Sequence, residues 1–227
     1  MGQDVSLKKG DTITLPISSL AFGGAGVGRY GDLVVFVDQA LPGQIIQAVI
    51  SKKKKNFAEA RLQAVVSASP HQQSPICRHF GDCGGCRLQH LQYDIQLQEK
   101  SRQVEESLRH IGKFVDLQLE PPLAAPEMFF YRNKMEFSFA DLAYVPREQL
   151  EQNGDGGEGL YLGLHAKGFF NKVIDVAQCH LLTPVANDIL AAVRQLARTS
   201  GLPAYSTQSH SGFWRFLVMR QIGRAHV

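Results

Sequence analysis

Residues 12–37, TITLPISSLAFGGAGVGRYGDLVVFV, decide the fold of the first third of the chain. Short runs rich in β-branched residues alternate there with glycine turns, and further strand-like runs follow at residues 44–52 and 58–66. Several short strands in so short a segment are typical of a small closed barrel. We therefore predict a five-stranded β-barrel over residues 1–67.

The glycines at positions 23, 24, 26 and 28 raise a second possibility, a phosphate-binding loop. A dinucleotide-binding loop follows a strand and opens a helix. Here strand-like sequence lies on both sides of the glycines, and no helical period follows Gly28. Glycine also serves at the corners of small barrels, where the backbone bends sharply. The pattern therefore favours barrel corners over a nucleotide site.

The composition indicates a globular protein. Of the 227 residues, 44% are hydrophobic and 20% are charged, which is ordinary for a folded domain and excludes general disorder. No apolar run approaches the ~20 residues of a membrane-spanning helix, and no apolar block follows the first basic residues as in a secretory signal. We therefore expect a cytoplasmic monomer without a membrane partner, whose cysteines stay reduced.

The net charge of +3 is concentrated in the first third of the chain. Residues 1–70 carry eight basic and five acidic side chains, whereas residues 71–227 carry 16 of each. Four consecutive cations and a nearby aromatic residue stand out, namely Lys52, Lys53, Lys54, Lys55 and Phe57. In an OB-like barrel such side chains can follow a nucleic-acid backbone and stack on a base. We predict RNA binding here, with a solvated lysine loop as the alternative.

A second polar and basic cluster, Tyr131-Arg132-Asn133-Lys134, comes directly before a predicted strand. Arg132 and Lys134 could bind phosphates, and Asn133 could contact a base edge. The alternative is an ordinary strand start with surface charges. Arg132 and Lys134 are therefore candidate RNA-binding residues.

After residue 67 the pattern changes to a mixture of helix and strand. A polar linker covers residues 67–76, and apolar residues recur at helical spacing between residues 91 and 111. Strand-like runs follow at 135–139, 160–164, 173–176 and 213–220, with an exposed loop at 153–157. Thr183 and Pro184 begin a further helix as N-cap and first residue, with a predicted inward face of Val185, Ile189, Val193 and Leu196. The predicted fold class is mainly β with α (α+β).

The four cysteines form a constellation typical of a metal centre: Cys77, Cys83, Cys86 and Cys179. Three close ligands and one distant ligand favour an iron–sulfur cluster, because structural zinc more often uses two short cysteine pairs. Glycines between Cys83 and Cys86 would let backbone N–H groups reach the sulfides. Zinc, a redox Cys-x-x-Cys pair and disulfides are the alternatives. The neighbouring His79, His90 and His180 are expected to pack or hydrogen-bond, because four thiolates already complete a site.

Residues 75–91, PICRHFGDCGGCRLQHL, followed by Tyr93, Gln96 and Lys100, resemble the iron–sulfur signature of the bacterial RNA (uracil-5-)-methyltransferases that modify 23S ribosomal RNA. Residues 23–29 and 41–43 resemble the TRAM domain of that family, and residues 131–134 and 175–179 are similar to its next two motifs. The resemblance implies a TRAM barrel that binds RNA, a β-rich central domain with a [4Fe-4S] cluster on the four cysteines, and a C-terminal Rossmann-like domain that binds S-adenosyl-L-methionine.

In the mechanism implied by this resemblance, a cysteine thiolate adds to C6 of a uracil and C5 attacks the cofactor methyl group. A carboxylate then removes the C5 proton, giving 5-methyluridine in a nucleotide that has left its stack. All four cysteines of this chain match the cluster ligands, so none remains as the nucleophile. We therefore expect an N-terminal fragment that binds RNA and a cluster but carries no catalytic residue and is inactive alone.

The expected organisation has five parts along the chain. These are an RNA-binding TRAM barrel at 1–67, a cluster-binding segment at 68–90, a helix at 91–115 that packs on the missing methyltransferase domain, a central β-rich domain at 116–220, and a non-native tail at 221–227. The tail is so assigned because its sequence resembles a translated library adapter.

Three other functions fit parts of the sequence. A standalone RNA-binding or redox-sensing metal module would need no further domain, and a transfer-RNA uracil-5 methyltransferase would share the same motifs. Radical S-adenosylmethionine enzymes also combine clusters with TRAM domains. Their three cysteines are conventionally spaced by three and then two residues, whereas Cys77, Cys83 and Cys86 are spaced by five and then two. This spacing disfavours radical chemistry.

Overall fold

The computed structural model describes residues 7–146, 150, 157–169 and 171–222. It divides into two compact units, which we call the barrel unit (Met1–Pro75 and Arg87–Ala124) and the sheet unit (Ile76–Cys86 and Ala125–Val227). Most of the loop predicted at 153–157 and most of the tail predicted at 221–227 lie outside the described residues. Among the residues described, no helix is both long and apolar enough to cross a membrane.

The barrel unit contains the predicted five-stranded barrel. Its strands close in the order β1-β2-β3-β5-β4, and all neighbours are antiparallel except β3 and β5, which run parallel. The strands are β1 Thr12–Leu20, β2 Gly26–Tyr30, β3 Leu33–Asp38, β4 Ile45–Lys53 and β5 Phe57–Ser67. The prediction of a closed barrel is confirmed, and the glycine segment leads from strand to strand, as expected for barrel corners.

Alternation of inward and outward side chains builds the barrel core. Successive residues of β1 alternate between exposed and buried, as a strand with one face on a core requires. Gly28 of β2 lies where the backbone of β1 passes very close. A Cβ at this position would stand 2.5 Å from the Pro16 carbonyl oxygen. Glycine at this position is therefore required by the close packing of β1 against β2.

Helix α1, Tyr93–His110, follows the barrel and contacts the end of β1 through polar groups. The Leu20 N–H donates to Glu99 Oε2 at 2.7 Å, and the Leu20 carbonyl accepts from Arg102 Nη2 at 3.0 Å and Gln103 Nε2 at 2.9 Å. These bonds satisfy backbone groups at the end of a barrel strand. No residue of α1 is fully buried. Ile95, in its first turn, packs against the cluster of Leu20, Leu41 and Leu91, whereas Val104 is exposed.

The sheet unit contains a four-stranded antiparallel sheet in the order β8-β7-β6-β9. Its strands are β6 Lys134–Leu142, β7 Glu158–His165, β8 Val173–Asp175 and β9 Phe216–Arg220, and helix α2 spans Pro184–Thr199. One face of the sheet packs into a core that includes Phe137, Leu162, Val176 and Leu190. This core holds the segment that carries Cys179.

The predicted start of α2 is confirmed, but its predicted inward face is wrong. Thr183 caps the helix by accepting a hydrogen bond from the Ala186 N–H at 3.4 Å. Val185, Ile189 and Leu196 are 67%, 46% and 59% exposed, and of the predicted residues only Val193 packs on the core. The helix carries two apolar stripes one residue apart, and the buried one consists of Ala186, Leu190, Val193 and Ala197.

Polar contacts explain which stripe of α2 faces inward. Asn187 is buried and bonds to the backbone before the helix. On the same side, Arg194 and Arg198 bind the two carboxylate oxygens of Asp175 at 3.1 and 2.8 Å. These contacts determine which face of the helix points to the core. They join residues that are distant in sequence, so the apolar period of the helix alone does not predict them.

Candidate metal centre and nucleic-acid interface

The first three cysteines lie in a loop that is held by backbone hydrogen bonds to the end of β7. Cys83 forms an isolated bridge with Ala166, and the Gly84 N–H donates to the His165 carbonyl at 3.3 Å. Within the loop, the Cys83 N–H donates to the His79 carbonyl at 2.9 Å. The loop therefore has a defined path, which brings Cys83 and Cys86 against the core that contains Cys179.

Cys179 is buried and follows β8, and Asn187 of α2 fixes its backbone. The Asn187 side chain accepts from the Cys179 N–H at 2.8 Å and donates to the Cys179 carbonyl at 3.1 Å. The same amide group donates to the carbonyls of Leu182 and Thr183 at 3.3 and 3.2 Å. One side chain thus shapes the whole turn between the fourth cysteine and α2.

The four thiols lie close enough to influence one another's ionisation. Burial raises the pKa of the Cys83 thiol, and the charges of Cys77, Cys86 and Cys179 raise that pKa further. Burial likewise raises the pKa of Cys179. Backbone N–H groups act in the opposite direction, from Gly85 on Cys83 and from Leu181 and Leu182 on Cys179. Four thiolates in this place would repel one another unless a cationic group neutralised them.

Four cysteine thiols are a donor set that suits an iron–sulfur cluster and structural zinc alike. Within the described part of the chain, no group of three or more His, Cys, Asp or Glu side chains is placed so that it could hold a metal ion. The chemistry of the four thiols therefore fits a metal centre, and the choice of a cluster over zinc depends on the spacing of the cysteines along the sequence.

The three histidines near the cysteines in sequence make packing and hydrogen-bonding contacts. His90 belongs to the barrel unit, where a ring nitrogen lies 3.0 Å from the Gln39 carbonyl oxygen. His180 packs against the rings of Phe129 and Phe130, with centroid distances of 6.5 and 6.4 Å. Burial and the neighbouring Arg78 lower the pKa of His79. These contacts agree with the expectation of packing and hydrogen-bonding roles.

The lysine run lies at the turn between β4 and β5 of the barrel. Lys52 forms an ion pair with Glu59 at 2.9 Å, and Lys53 donates to the Lys54 carbonyl at 2.9 Å. All four lysines are exposed. Phe57 stands edge-on to Phe36 with ring centroids 5.8 Å apart. The turn therefore presents cations beside an aromatic pair, as a nucleic-acid surface requires, although Glu59 offsets the charge of Lys52.

The other two candidate RNA-binding residues belong to the sheet unit. The Arg132 N–H donates to the Leu181 carbonyl at 2.9 Å, which joins it to the turn after Cys179. Lys134 is the first residue of β6 and pairs in register with Arg220 of β9. The predicted candidates thus form two separate sets, one in each unit.

Cationic and aromatic residues around β9 were not among the predicted site residues. Arg215 stacks over the rings of Tyr205 and Phe216, with its guanidinium carbon 4.4 and 5.2 Å from their centroids. A signal was present, because residues 189–227 contain five arginines and no acidic residue. Basic and acidic side chains are equal in number over residues 71–227 as a whole, so the net charge of that range does not indicate this cationic segment.

Comparison with known proteins identifies the barrel and relates the whole chain to a group of enzymes. Residues 6–63 match the TRAM domain. A protein of Nitratidesulfovibrio vulgaris named uncharacterized RNA methyltransferase is 40% identical over 215 residues, which cover 95% of this chain and 43% of that protein. A Chlorobaculum tepidum protein of the same description is 37% identical over 221 residues, covering 96% of this chain and 46% of the relative.

A solved structure shares the fold. It is the Pyrococcus abyssi tRNA (uracil-54, C5)-methyltransferase in complex with S-adenosyl-L-homocysteine, with a TM-score of 0.57 and 20% identity over 91% of this chain and 42% of that one. The chain therefore spans less than half the length of the relatives it matches. It carries a TRAM domain, and over nearly all of its own length it is similar to proteins named RNA methyltransferases.

Proposed function

We propose that the chain is the N-terminal part of an S-adenosyl-L-methionine-dependent RNA methyltransferase that makes 5-methyluridine. The observation that carries this proposal is the similarity of 95% of the chain to proteins named RNA methyltransferases, together with the TRAM domain. The motifs of residues 75–91 and 131–134 favour 23S ribosomal RNA as the substrate. The cytoplasm is then the site of action, and we propose a monomer.

A transfer RNA is the second candidate substrate. It is favoured by one observation, the shared fold with a methyltransferase described as acting on uracil 54 of tRNA. At 20% identity that likeness concerns the fold, and fold alone does not determine substrate. The two substrates must therefore be separated by experiment.

We assign a [4Fe-4S] cluster to Cys77, Cys83, Cys86 and Cys179. Support comes from four thiols that influence one another's ionisation, three of which (Cys83, Cys86 and Cys179) lie at one core, and from N–H groups near two of them. When bound, the cluster would supply iron–thiolate bonds that tie the loop of residues 77–86 to the turn after β8. Asn187 holds Cys179 in position, and the Gly85 N–H donates to the Cys83 sulfur at 3.4 Å. Both contacts orient ligands independently of the metal.

Within this proposal, the chain binds RNA and the rest of the protein performs catalysis. The cations at Lys53, Lys54 and Lys55 would contact phosphates, and Phe57 would offer a face for stacking. Helix α1, whose apolar residue Val104 is exposed, would pack on the methyltransferase domain. The methyl donor, the nucleophile and the base would all belong to that domain, so the chain alone would not methylate RNA.

The decisive experiment measures methyl transfer by the full-length protein encoded at the genomic locus. Purified protein is incubated with radiolabelled S-adenosyl-L-methionine and either 23S ribosomal RNA or tRNA transcripts, with the 227-residue chain as a control. We expect 5-methyluridine in 23S RNA with the full-length protein and none with the chain alone. Methylation of tRNA alone would select the second substrate, and methylation of neither RNA would refute the proposal.

A further inference from the structure

We propose that the exposed face around β9 is a second RNA-binding surface, which takes a short single-stranded segment. We call it the β9 surface and define it by Lys134, Tyr205, Phe213, Arg215, Phe216 and Arg220. The inference rests on the proposed function, because that function identifies RNA as the anionic partner. It adds a binding site in the sheet unit that is distinct from the lysine turn of the barrel.

Exposed aromatic rings and a stacked arginine form one end of the surface. Phe213 is 62% exposed and Phe216 is 49% exposed. The Arg215 guanidinium carbon lies over the rings of Phe216 and Tyr205, 5.2 and 4.4 Å from their centroids. Bases stack on aromatic rings and on guanidinium planes with little dependence on sequence. This end of the surface therefore offers stacking faces for unpaired bases.

The other end of the β9 surface carries an excess of positive charge. Lys134 and Arg220 are paired in register on the exposed face, and like charges directly opposite one another destabilise a sheet. Glu136 lies beside them, opposite Val218, but no ion pair within the described residues joins Glu136 to either cation. Two phosphate groups would relieve the repulsion between Lys134 and Arg220. The charge pattern thus fits an anionic partner.

The distribution of arginines along the sequence supports the same partner. Residues 189–227 contain five arginines and no acidic residue. Arg194 and Arg198 are bound to Asp175, whereas Arg215 and Arg220 are exposed on the β9 surface. The side chains between them on β9, Leu217 and Met219, pack into the core. One face of the strand therefore holds the sheet together, and the other is available for binding.

The test measures RNA binding by the purified 227-residue chain with a labelled single-stranded RNA of about 12 nucleotides. Two variants probe the surface, Phe216→Ser for stacking and Lys134→Gln with Arg220→Gln for charge. The matched control is Lys113→Gln with Phe114→Ser, an exposed cation and aromatic in the barrel unit. Affinity is recorded over a range of salt concentrations, and thermal unfolding shows whether each variant is folded.

The inference predicts different effects for the two variants. Phe216→Ser should weaken binding about 5- to 100-fold with little change in salt dependence, because one base no longer stacks. The charge variant should reduce the slope of log affinity against log salt by about 0.7 for each phosphate that the protein no longer neutralises. The control should match the wild type. Unchanged affinity and slope in folded β9 variants would overturn the inference.

A third variant separates this inference from the proposed function. Replacing Lys53, Lys54 and Lys55 by alanine probes the barrel turn alone. Weakened binding in that variant, with normal binding in both β9 variants, would refute the β9 surface and leave RNA binding by the barrel intact. No binding of RNA by the wild-type chain would refute both. A change of oligomeric state in the β9 variants without loss of RNA binding would show a protein interface there and refute the inference.

Discussion

Replacing Asn187 by alanine should destabilise the sheet unit strongly, because this buried side chain bonds to four backbone groups. It accepts from the Cys179 N–H at 2.8 Å and donates to the carbonyls of Cys179, Leu182 and Thr183 at 3.1, 3.3 and 3.2 Å. A buried N–H left without a partner costs about 1–3 kcal/mol. The two amide hydrogens, which the three carbonyls share, contribute about 0.5–1.5 kcal/mol net each, so we expect the free energy of unfolding to fall by about 2–6 kcal/mol.

Trp214 makes this loss measurable in the sheet unit alone. It is the single tryptophan of the chain, it packs on Phe139 with ring centroids 5.3 Å apart, and its indole N–H donates to Ser200 Oγ at 3.0 Å. Its fluorescence therefore follows unfolding of the core around α2. Urea unfolding of metal-free Asn187→Ala and wild type would compare the folds without the added stability of a bound metal.

The control is Gln195→Ala, an exposed residue of the same helix, which should change stability by less than about 0.5 kcal/mol. An Asn187→Ala variant that also stays within about 0.5 kcal/mol of wild type would refute the reasoning. It would mean that water satisfies the backbone groups or that the turn after Cys179 rearranges at little cost.

Three further changes test other parts of the structure. Leu190→Ala should lower the free energy of unfolding by about 2–5 kcal/mol in the same fluorescence assay, whereas Leu196→Ala should have little effect. Equal losses of stability in the two variants would contradict the inward face of α2 described above. Gly28→Ala should loosen the barrel, because the new methyl group would meet the Pro16 carbonyl; unchanged hydrogen exchange of the β1 amides would contradict this. Anaerobically purified protein should contain about four iron atoms per chain and Cys179→Ser should lose most of them; zinc in place of iron would refute the cluster.

The barrel could be predicted from sequence because its signals are local. Strand period, turn glycines and short spacing all act within a few residues, and they identified five strands and rejected a nucleotide loop. The cysteine spacing predicted a shared metal site, since three of the four cysteines lie within ten residues of one another, and this site stays a prediction. The place of Cys179 beside them depends on the turn that Asn187 holds, which only the folded sheet unit reveals.

The inward face of α2 could not be predicted because the helix has two apolar stripes of similar strength. The choice between them depends on Asn187 and on the ion pairs of Arg194 and Arg198 with Asp175, which are long-range contacts. The β9 surface was missed for a different reason. Charge was summed over residues 71–227, so the acidic residues before position 189 cancelled the arginines after it. A shorter window would have indicated the cationic segment.

The turn after Cys179 and the β9 surface share one run of backbone hydrogen bonds, which determines how the roles of Cys179 and of this surface can be separated. The N–H groups of Phe130 and Arg132 donate to the carbonyls of His180 and Leu181, directly after Cys179, at 2.9 Å each. Two residues later the chain enters β6 at Lys134, opposite Arg220. We therefore expect a substitution of Cys179 to disturb this segment whether or not the proposed cluster contacts RNA. Only changes on the exposed face, such as Phe216→Ser, can assign RNA binding to the β9 surface.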